Sequence, residues 1–160
     1  MSSLFREFSN YVRSPDELDS RAIAFIDSRI ANCENLIQQA APEVRVFAVG
    51  LLADGMQAIT KTLSSSFCRQ LYLVASGTPG CLYLGRSELS RNTLIQYQTQ
   101  LPSWFKPLDN NADSETPRLH LCGCNVAAGD VGAEFLAQLS LLTGAEVSAS
   151  KNIYSSLVFN

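Results

Sequence analysis

Four apolar runs, separated by polar segments, constrain this fold more than any other feature of the sequence. They are AIAFID, VRVFAVG, RQLYLVA and RLHLCGC, and a shorter fifth run, EVSAS, follows them. Continuous apolar runs of this length are typical of strands that are buried on both faces of a parallel sheet. Because parallel strands need crossover connections, the alternation predicts an α/β protein, a three-layer sandwich with a mostly parallel sheet and helices on both faces.

The expected elements follow from this alternation. We predict strands near residues 22–27, 44–49, 70–75, 118–123 and 146–149, and helices over 28–41, 53–65, 87–100 (with Ser87 as its cap) and 130–144. The segment SGTPGCLYLG is expected to be a loop with a short extended piece. Residues 1–20 are predicted to be an N-terminal helical extension, and residues 21–160 a single domain, because the chain contains no linker rich in Gly and Ser.

Composition excludes several classes of partner. The net charge is −3 and the basic residues are scattered singly, which argues against nucleic acid. No apolar run approaches the roughly 20 residues that a membrane span needs. Five cysteines are an odd number, and acidic residues occupy the N-terminus where a secretory signal would be basic, so we expect a cytoplasmic protein without disulfides. The Cys-Gly-Cys spacing is too tight for a metal pair, and no metal or cofactor is predicted.

In open parallel sheets, functional sites lie at the carboxyl ends of the strands. Those ends place Asp27, Ser76-Gly77 and Cys124-Asn125 in one candidate pocket. Cys124 is either a nucleophile, since a following helix N-terminus would favour its thiolate, or a buried and inert thiol. The single histidine, His120, is four residues away in the same strand, about 13 Å at 3.3 Å per residue, and is expected to be a structural residue rather than a base.

Three blocks of the sequence carry a family resemblance. They are FIDSRIANCENLIQQAAPEVRVFAVGLLADGMQAITKTL, LYLVASGTPGCLYLG and LCGCNVAAGDVGAEFLAQLSLLTGAEVSAS, and together they cover roughly Ala22 to Ser150. The chain resembles an uncharacterised bacterial domain that opens giant cyanobacterial and proteobacterial surface proteins of the cadherin-like or haemolysin-repeat type. That domain is similar in turn to the caspase, gingipain and legumain clan of cysteine peptidases. The resemblance implies a caspase-like fold and favours a cyanobacterial source.

The resemblance also implies a catalytic dyad, of which this chain keeps one half. In the family the third strand ends in Ser-His-Gly and the fourth in Tyr-Gly-Cys. Here the cysteine is kept as Cys124, but the histidine position is Ser76, which cannot act as a base near neutral pH. The tail KNIYSSLVFN also departs from the family, which places a Thr-Gly turn and a Gly-Gly-Asp-Trp segment there. We therefore expect a vestigial dyad and no catalytic residue.

Three functions remain open at this point. The first is a pseudoenzyme that serves as an interaction, scaffold or linker subunit of a larger protein assembly. The second is a cysteine peptidase that uses Cys124, and the third is small-ligand binding in the vestigial pocket. Aromatic residues are the candidate interface, with Trp104 and Phe105 read equally as a hydrophobic plug or a partner anchor. The complete set is Phe5, Phe8, Trp104 and Phe105.

Overall fold

The computed structural model describes residues 22–40, 43–105, 116–122 and 125–150. The predicted extension over residues 1–20, with Phe5 and Phe8, lies outside these described residues, and so does Cys124. The strands are β1 (Ala22–Asp27), β2 (Val44–Val49), β3 (Gln70–Val74), β4 (Ser76–Thr78), β5 (Cys81–Leu84), β6 (Ser87–Ser90), β7 (Arg118–Cys122) and β8 (Glu146–Ser150). The α-helices are α1 (Cys33–Gln39), α2 (Gly55–Ser64), α3 (Arg91–Leu94) and α4 (Gly129–Thr143), with 3₁₀ turns at Ile95–Tyr97 and Leu101–Ser103.

The main sheet confirms the predicted architecture. Its five strands are all parallel, in the order β2-β1-β3-β7-β8. Within the sheet, β2 lies on one side of β1, and β3, β7 and β8 follow in order on the other side. Right-handed crossovers therefore place α1 on one face, called the back, and α2 and α4 on the other, called the front. The fold is an α/β sandwich with helices on both faces.

Two hydrophobic clusters hold the layers together. On the front, Phe25 stacks on Phe47 with ring centroids 5.3 Å apart, and this pair belongs to a cluster that includes residues of α2 and α4. On the back, Leu36 and Ile37 of α1 pack on alternate residues of β1 and β2. Every residue of β2 is buried, as expected for a strand covered on both faces. Burial of this apolar surface is the main source of stability.

The segment from Ser76 to Ser90 differs from the prediction. The prediction was a loop with a short extended piece, followed by a helix capped by Ser87. The structure instead has a three-stranded antiparallel sheet, β4-β5-β6, and the helix begins only at Arg91. The reason is a two-residue periodicity that the helical interpretation overlooked, since Leu82, Leu84 and Leu89 all enter the front core. The real helix start is marked at Ser90, whose N–H donates to Thr93 Oγ1 at 2.9 Å.

The other helix boundaries follow backbone conformation. Helix α1 begins at Cys33 rather than at residue 28, because Asn32 adopts a left-handed conformation with φ of 63°. Helix α4 ends before Gly144, as predicted, and that glycine has φ of 75°. The prediction was therefore accurate where a residue with a strong backbone preference stops a helix.

Gly85 joins the antiparallel sheet to the main sheet. It lies in the turn between β5 and β6 with φ of +62°, and the next residue, Arg86, donates its N–H to the Ala53 carbonyl at 2.8 Å. A Cβ atom at Gly85 would collide with the same Ala53 oxygen and would contact Gly50 O and Val49 Cγ1, each at 3.1 Å. Only glycine fits at this close contact between the turn at Gly85 and the turn after β2, which we call the Gly85 crossing.

We predict that Gly85→Ala destabilises the protein by roughly 2–5 kcal/mol, through left-handed strain plus the collision. The matched control is Gly144→Ala, where φ is +75° but nothing lies within 4 Å of the new Cβ, so that only the strain of about 1–2 kcal/mol remains. Urea unfolding of the two variants measures the difference. Equal losses of unfolding free energy would show that the crossing at Gly85 is not tight.

Candidate functional site

The carboxyl edge of the sheet is the candidate site, and its centre is the pair of neighbouring strands β3 and β7. Val74 pairs with Cys122, and the Ala75 N–H donates to the Cys122 carbonyl at 3.2 Å. The segments that follow these strands, including Ser76 on one side, therefore leave the sheet next to each other. This is the adjacency that the predicted dyad requires, although Cys124 itself is outside the described residues.

Ser76 and Gly77 belong to β4 and are not part of a free loop. Ser76 is exposed and pairs with Tyr83, while Gly77 is half-buried and pairs with Leu82. The turn after β4 is fixed to the segment after β7, because the Gly80 N–H donates to the Val126 carbonyl at 2.8 Å. This contact brings the antiparallel sheet against the loop that contains the exposed Asn125.

Asp27 is buried and fully engaged. Its carboxylate accepts hydrogen bonds from the Arg29 backbone and guanidinium at 2.8–2.9 Å and from the Gly85 N–H at 2.6 Å. Burial opposes its ionisation, but these donors outweigh that effect and hold the pKa below its ordinary value of 3.8. Arg29 also donates to the Gly85 carbonyl at 2.8 Å. Asp27 therefore anchors the turn at Gly85 rather than lining an open pocket.

His120 has the structural role that its position in the strand predicted. Its Nδ1 lies 3.0 Å from Ser148 Oγ and its Nε2 lies 3.2 Å from Gln70 Oε1, so both ring nitrogens have a partner. The ring stacks on Tyr72 with centroids 4.7 Å apart. Burial and the nearby charge of Arg118 lower the pKa of His120 below 6.5. The ring bridges three strands and is not directed at the carboxyl edge.

Where the pKa of a described cysteine is shifted, burial shifts it away from the thiolate form. Cys33, Cys68, Cys81 and Cys122 form no disulfide. Burial raises the pKa of Cys33 to about 11 and that of Cys68 to about 12, and it also raises the pKa of Cys81. Within the described ranges, no group of three or more His, Cys, Asp or Glu side chains is placed to hold a metal ion.

Trp104 and Phe105 are core residues. Trp104 is 1% exposed, and its indole N–H donates to Thr60 Oγ1 at 3.0 Å, while Phe105 is 7% exposed. Of the two readings that the sequence left open, burial agrees with the hydrophobic plug and removes the pair from the exposed surface. The apolar pattern of the preceding 3₁₀ turn, with Leu101 also buried, explains the insertion.

Sequence reasoning missed the exposed apolar residues of this edge. Leu51 and Leu52, in the turn that follows β2, are 51% and 80% exposed, and Tyr83 on β5 is 37% exposed. Their turn contacts the Gly85 crossing through Gly50 and Ala53. Two leucines directly after the strand-ending glycine, in VGLLADG, were the signal that could have identified them.

Comparison with protein families shows to which family the chain belongs. The sequence profile described as "Domain of unknown function (DUF4347)" matches residues 23–156, which is most of the chain. The chain belongs to the DUF4347 family. No curated protein and no solved structure matches this DUF4347 domain. Among the helices that the structure describes in it, none is both long and apolar enough to cross a membrane.

We predict that Asp27→Asn lowers the unfolding free energy of this DUF4347 domain by about 2 kcal/mol or more, since the buried donors lose a charged acceptor. The lowered pKa means that the ionised carboxylate contributes its stability above pH 3.8, and that this contribution is lost as pH falls towards the folded-state pKa. Urea unfolding at pH 7 and at pH 3 should therefore show a smaller difference between the variant and the wild type at the lower pH.

The matched control for this change is Glu134→Gln. Glu134 pairs with Arg91, and both side chains are more than half exposed, so that the loss should stay below about 1 kcal/mol. If the two variants lost the same stability at pH 7, the anchoring role of Asp27 would be refuted.

Proposed function

We propose that this DUF4347 domain is a catalytically silent relative of the caspase-like cysteine peptidases, and that it acts as a protein-interaction module or structural subunit of a larger cytoplasmic assembly. The observation that carries the proposal is Ser76, which is exposed at the start of β4, two residues after β3, where the resemblance expects a histidine. A serine hydroxyl cannot accept a proton from a thiol near neutral pH.

The surroundings of Ser76 support catalytic silence. A base would have to come from another side chain, and the only histidine of the chain, His120, has both ring nitrogens engaged by Gln70 and Ser148. Asp27 is a buried carboxylate at this edge, and it already accepts hydrogen bonds from the Arg29 guanidinium and the Gly85 N–H. Removing one member of a catalytic pair typically lowers the rate by several orders of magnitude.

One observation favours the alternative, a cysteine peptidase of the caspase or gingipain type. The ends of β3 and β7 are neighbours, which is the strand arrangement that a dyad after these two strands needs. This arrangement is a property of the fold, however, and the same fold can carry or lack a given chemistry. We therefore base the proposal on the residue type at position 76 and not on the neighbouring ends of β3 and β7.

Exposed apolar side chains at the same edge support an interaction role. Leu52 is 80% exposed and its neighbour Leu51 is 51% exposed, on a turn that the Gly85 crossing holds in place. Large apolar side chains on a fixed turn contribute to association because their burial removes apolar surface from water at little cost in backbone entropy. We therefore place the contact surface at Leu51 and Leu52 instead of Trp104 and Phe105.

We predict that the purified wild-type protein has no amidase activity and that an electrophilic thiol probe labels Cys124 no faster than a free peptide thiol. Ser76→His should raise the labelling rate at Cys124, because an imidazole would then be available to take the proton. Cys124→Ala is the control that removes the labelled site. Amidase activity in the wild type that Cys124→Ala abolishes would refute catalytic silence.

We also predict that Leu52→Asp abolishes the capture of the native partner from the source organism, with little effect on stability. Leu141→Asp is the matched control, since Leu141 is equally exposed, at 80%, but lies near the end of α4, away from the carboxyl edge. Quantitative pull-down of the same partner with both variants makes the comparison. An equal loss with both, or with neither, would exclude the turn as the contact surface.

A further inference from the structure

Two arginines lie almost completely buried at the amino edge of the sheet, opposite the candidate functional site. Arg45 is the second residue of β2 and is 9% exposed, while Arg69 directly precedes β3 and is 7% exposed. Arginine is rarely buried to this extent unless an anion or a set of acceptors compensates its charge. The contacts of these two side chains therefore need an explanation.

Aromatic rings hold both guanidinium groups in place. The Arg69 guanidinium carbon lies 5.3 Å from the centroid of the Phe67 ring, and that of Arg45 lies 5.4 Å from the centroid of Phe47. Arg45 also donates from Nη1 to Ser66 Oγ at 3.1 Å. Ser66 and Phe67 come from the segment between α2 and β3, so that one short loop supports both arginines. Stacking of this kind fixes the orientation of the planar donor group.

The two charges act on the same small region. Burial raises the pKa of the Cys68 thiol to about 12, and the charges of Arg45 and Arg69 both oppose that rise. Both guanidinium groups are therefore within electrostatic range of Cys68, although they come from strands that β1 separates. Two positive charges that act on the same region repel each other, and a bound anion would offset that repulsion.

Arg69 has no compensating partner in the described part of the chain. Its Nε is buried and has no hydrogen-bond acceptor, and the ion-paired carboxylates of Asp27, Glu134 and Glu146 bind Arg29, Arg91 and Arg118 instead. At the end of α2, the Ser64 hydroxyl donates to the Lys61 carbonyl and the Ser65 hydroxyl donates to the Thr62 carbonyl. The helix end therefore does not supply the missing acceptor.

From these contacts we propose that Arg69, together with Arg45, binds one oxyanion, a carboxylate or phosphate group, at the amino edge of the sheet. The guanidinium fork matches the two oxygens of such a group, and the Phe67 and Phe47 rings hold the two donors in place before binding. Ser66, already beside Arg45, supplies a hydroxyl next to the same site. The site is independent of the proposed interaction role of the carboxyl edge.

Thermal unfolding at pH 7 tests the proposal with two probes, sodium phosphate and sodium acetate, against sodium chloride at equal ionic strength. Binding to the folded state raises Tm in a saturable way, by roughly 2–4 °C at about five times the Kd. A response to phosphate alone identifies a phosphate site, and a response to acetate alone identifies a carboxylate site. No saturable response to either probe overturns the proposal.

Two variants of Arg69 and one control make the test specific. Arg69→Met removes the buried charge but keeps the length of the side chain, so that it should abolish the response and, in chloride, leave Tm equal to or above that of the wild type. Arg69→Lys keeps the charge without the fork and should weaken binding about tenfold. Arg86→Met makes the same chemical change at an exposed arginine and should preserve the full response.

A response that persists unchanged in Arg69→Met would overturn the proposal, because the anion would then bind elsewhere. If Arg69→Met does not fold, the comparison of Arg69→Lys with Arg86→Met decides. Equal affinity of those two variants for the responding probe would exclude Arg69 as a ligand. A direct measurement of phosphate and acetate binding by calorimetry, with the same variants, gives the Kd values that this comparison needs.

Discussion

The buried carboxylate of Asp27 is the interaction on which the carboxyl edge depends. It accepts the Gly85 N–H at 2.6 Å and the Arg29 guanidinium at 2.8 Å, and Arg29 in turn donates to the Gly85 carbonyl. These three residues fasten the small antiparallel sheet to the end of β1, an interior strand of the parallel sheet. A charged acceptor suits this position because it can hold several donors at once in a place that water does not reach.

The two edges of the parallel sheet have opposite chemistry. At the carboxyl edge the buried charge is fully compensated and apolar leucines face the solvent. At the amino edge the guanidinium of Arg69 lies over the Phe67 ring, and its buried Nε has no acceptor among the described residues. Association through the carboxyl edge would remove apolar surface from water, whereas an anion at the amino edge would offset buried positive charge. The two proposed contacts therefore differ in physical origin.

In the proposed relation to cysteine peptidases, geometry and chemistry are separate properties. Parallel strands with right-handed crossovers bring the ends of β3 and β7 together, whatever side chains follow them. Proton transfer needs a group with a pKa near the working pH, and the described edge supplies a serine and an ion-paired aspartate instead. A fold can therefore keep the position of a catalytic site after its reactive groups have changed.

The sequence alone determined the parallel sheet and its strand positions, because apolar runs such as VRVFAV can be buried only between two layers. It also determined that position 76 is a serine, whose hydroxyl cannot act as a base near neutral pH. Only the tertiary structure decided that Trp104 is buried and Leu52 exposed, that Ser76–Ser90 forms strands, and that Arg69 Nε has no acceptor among the described residues. These outcomes depend on contacts between residues far apart in the chain, and local periodicity carries no information about which distant groups meet.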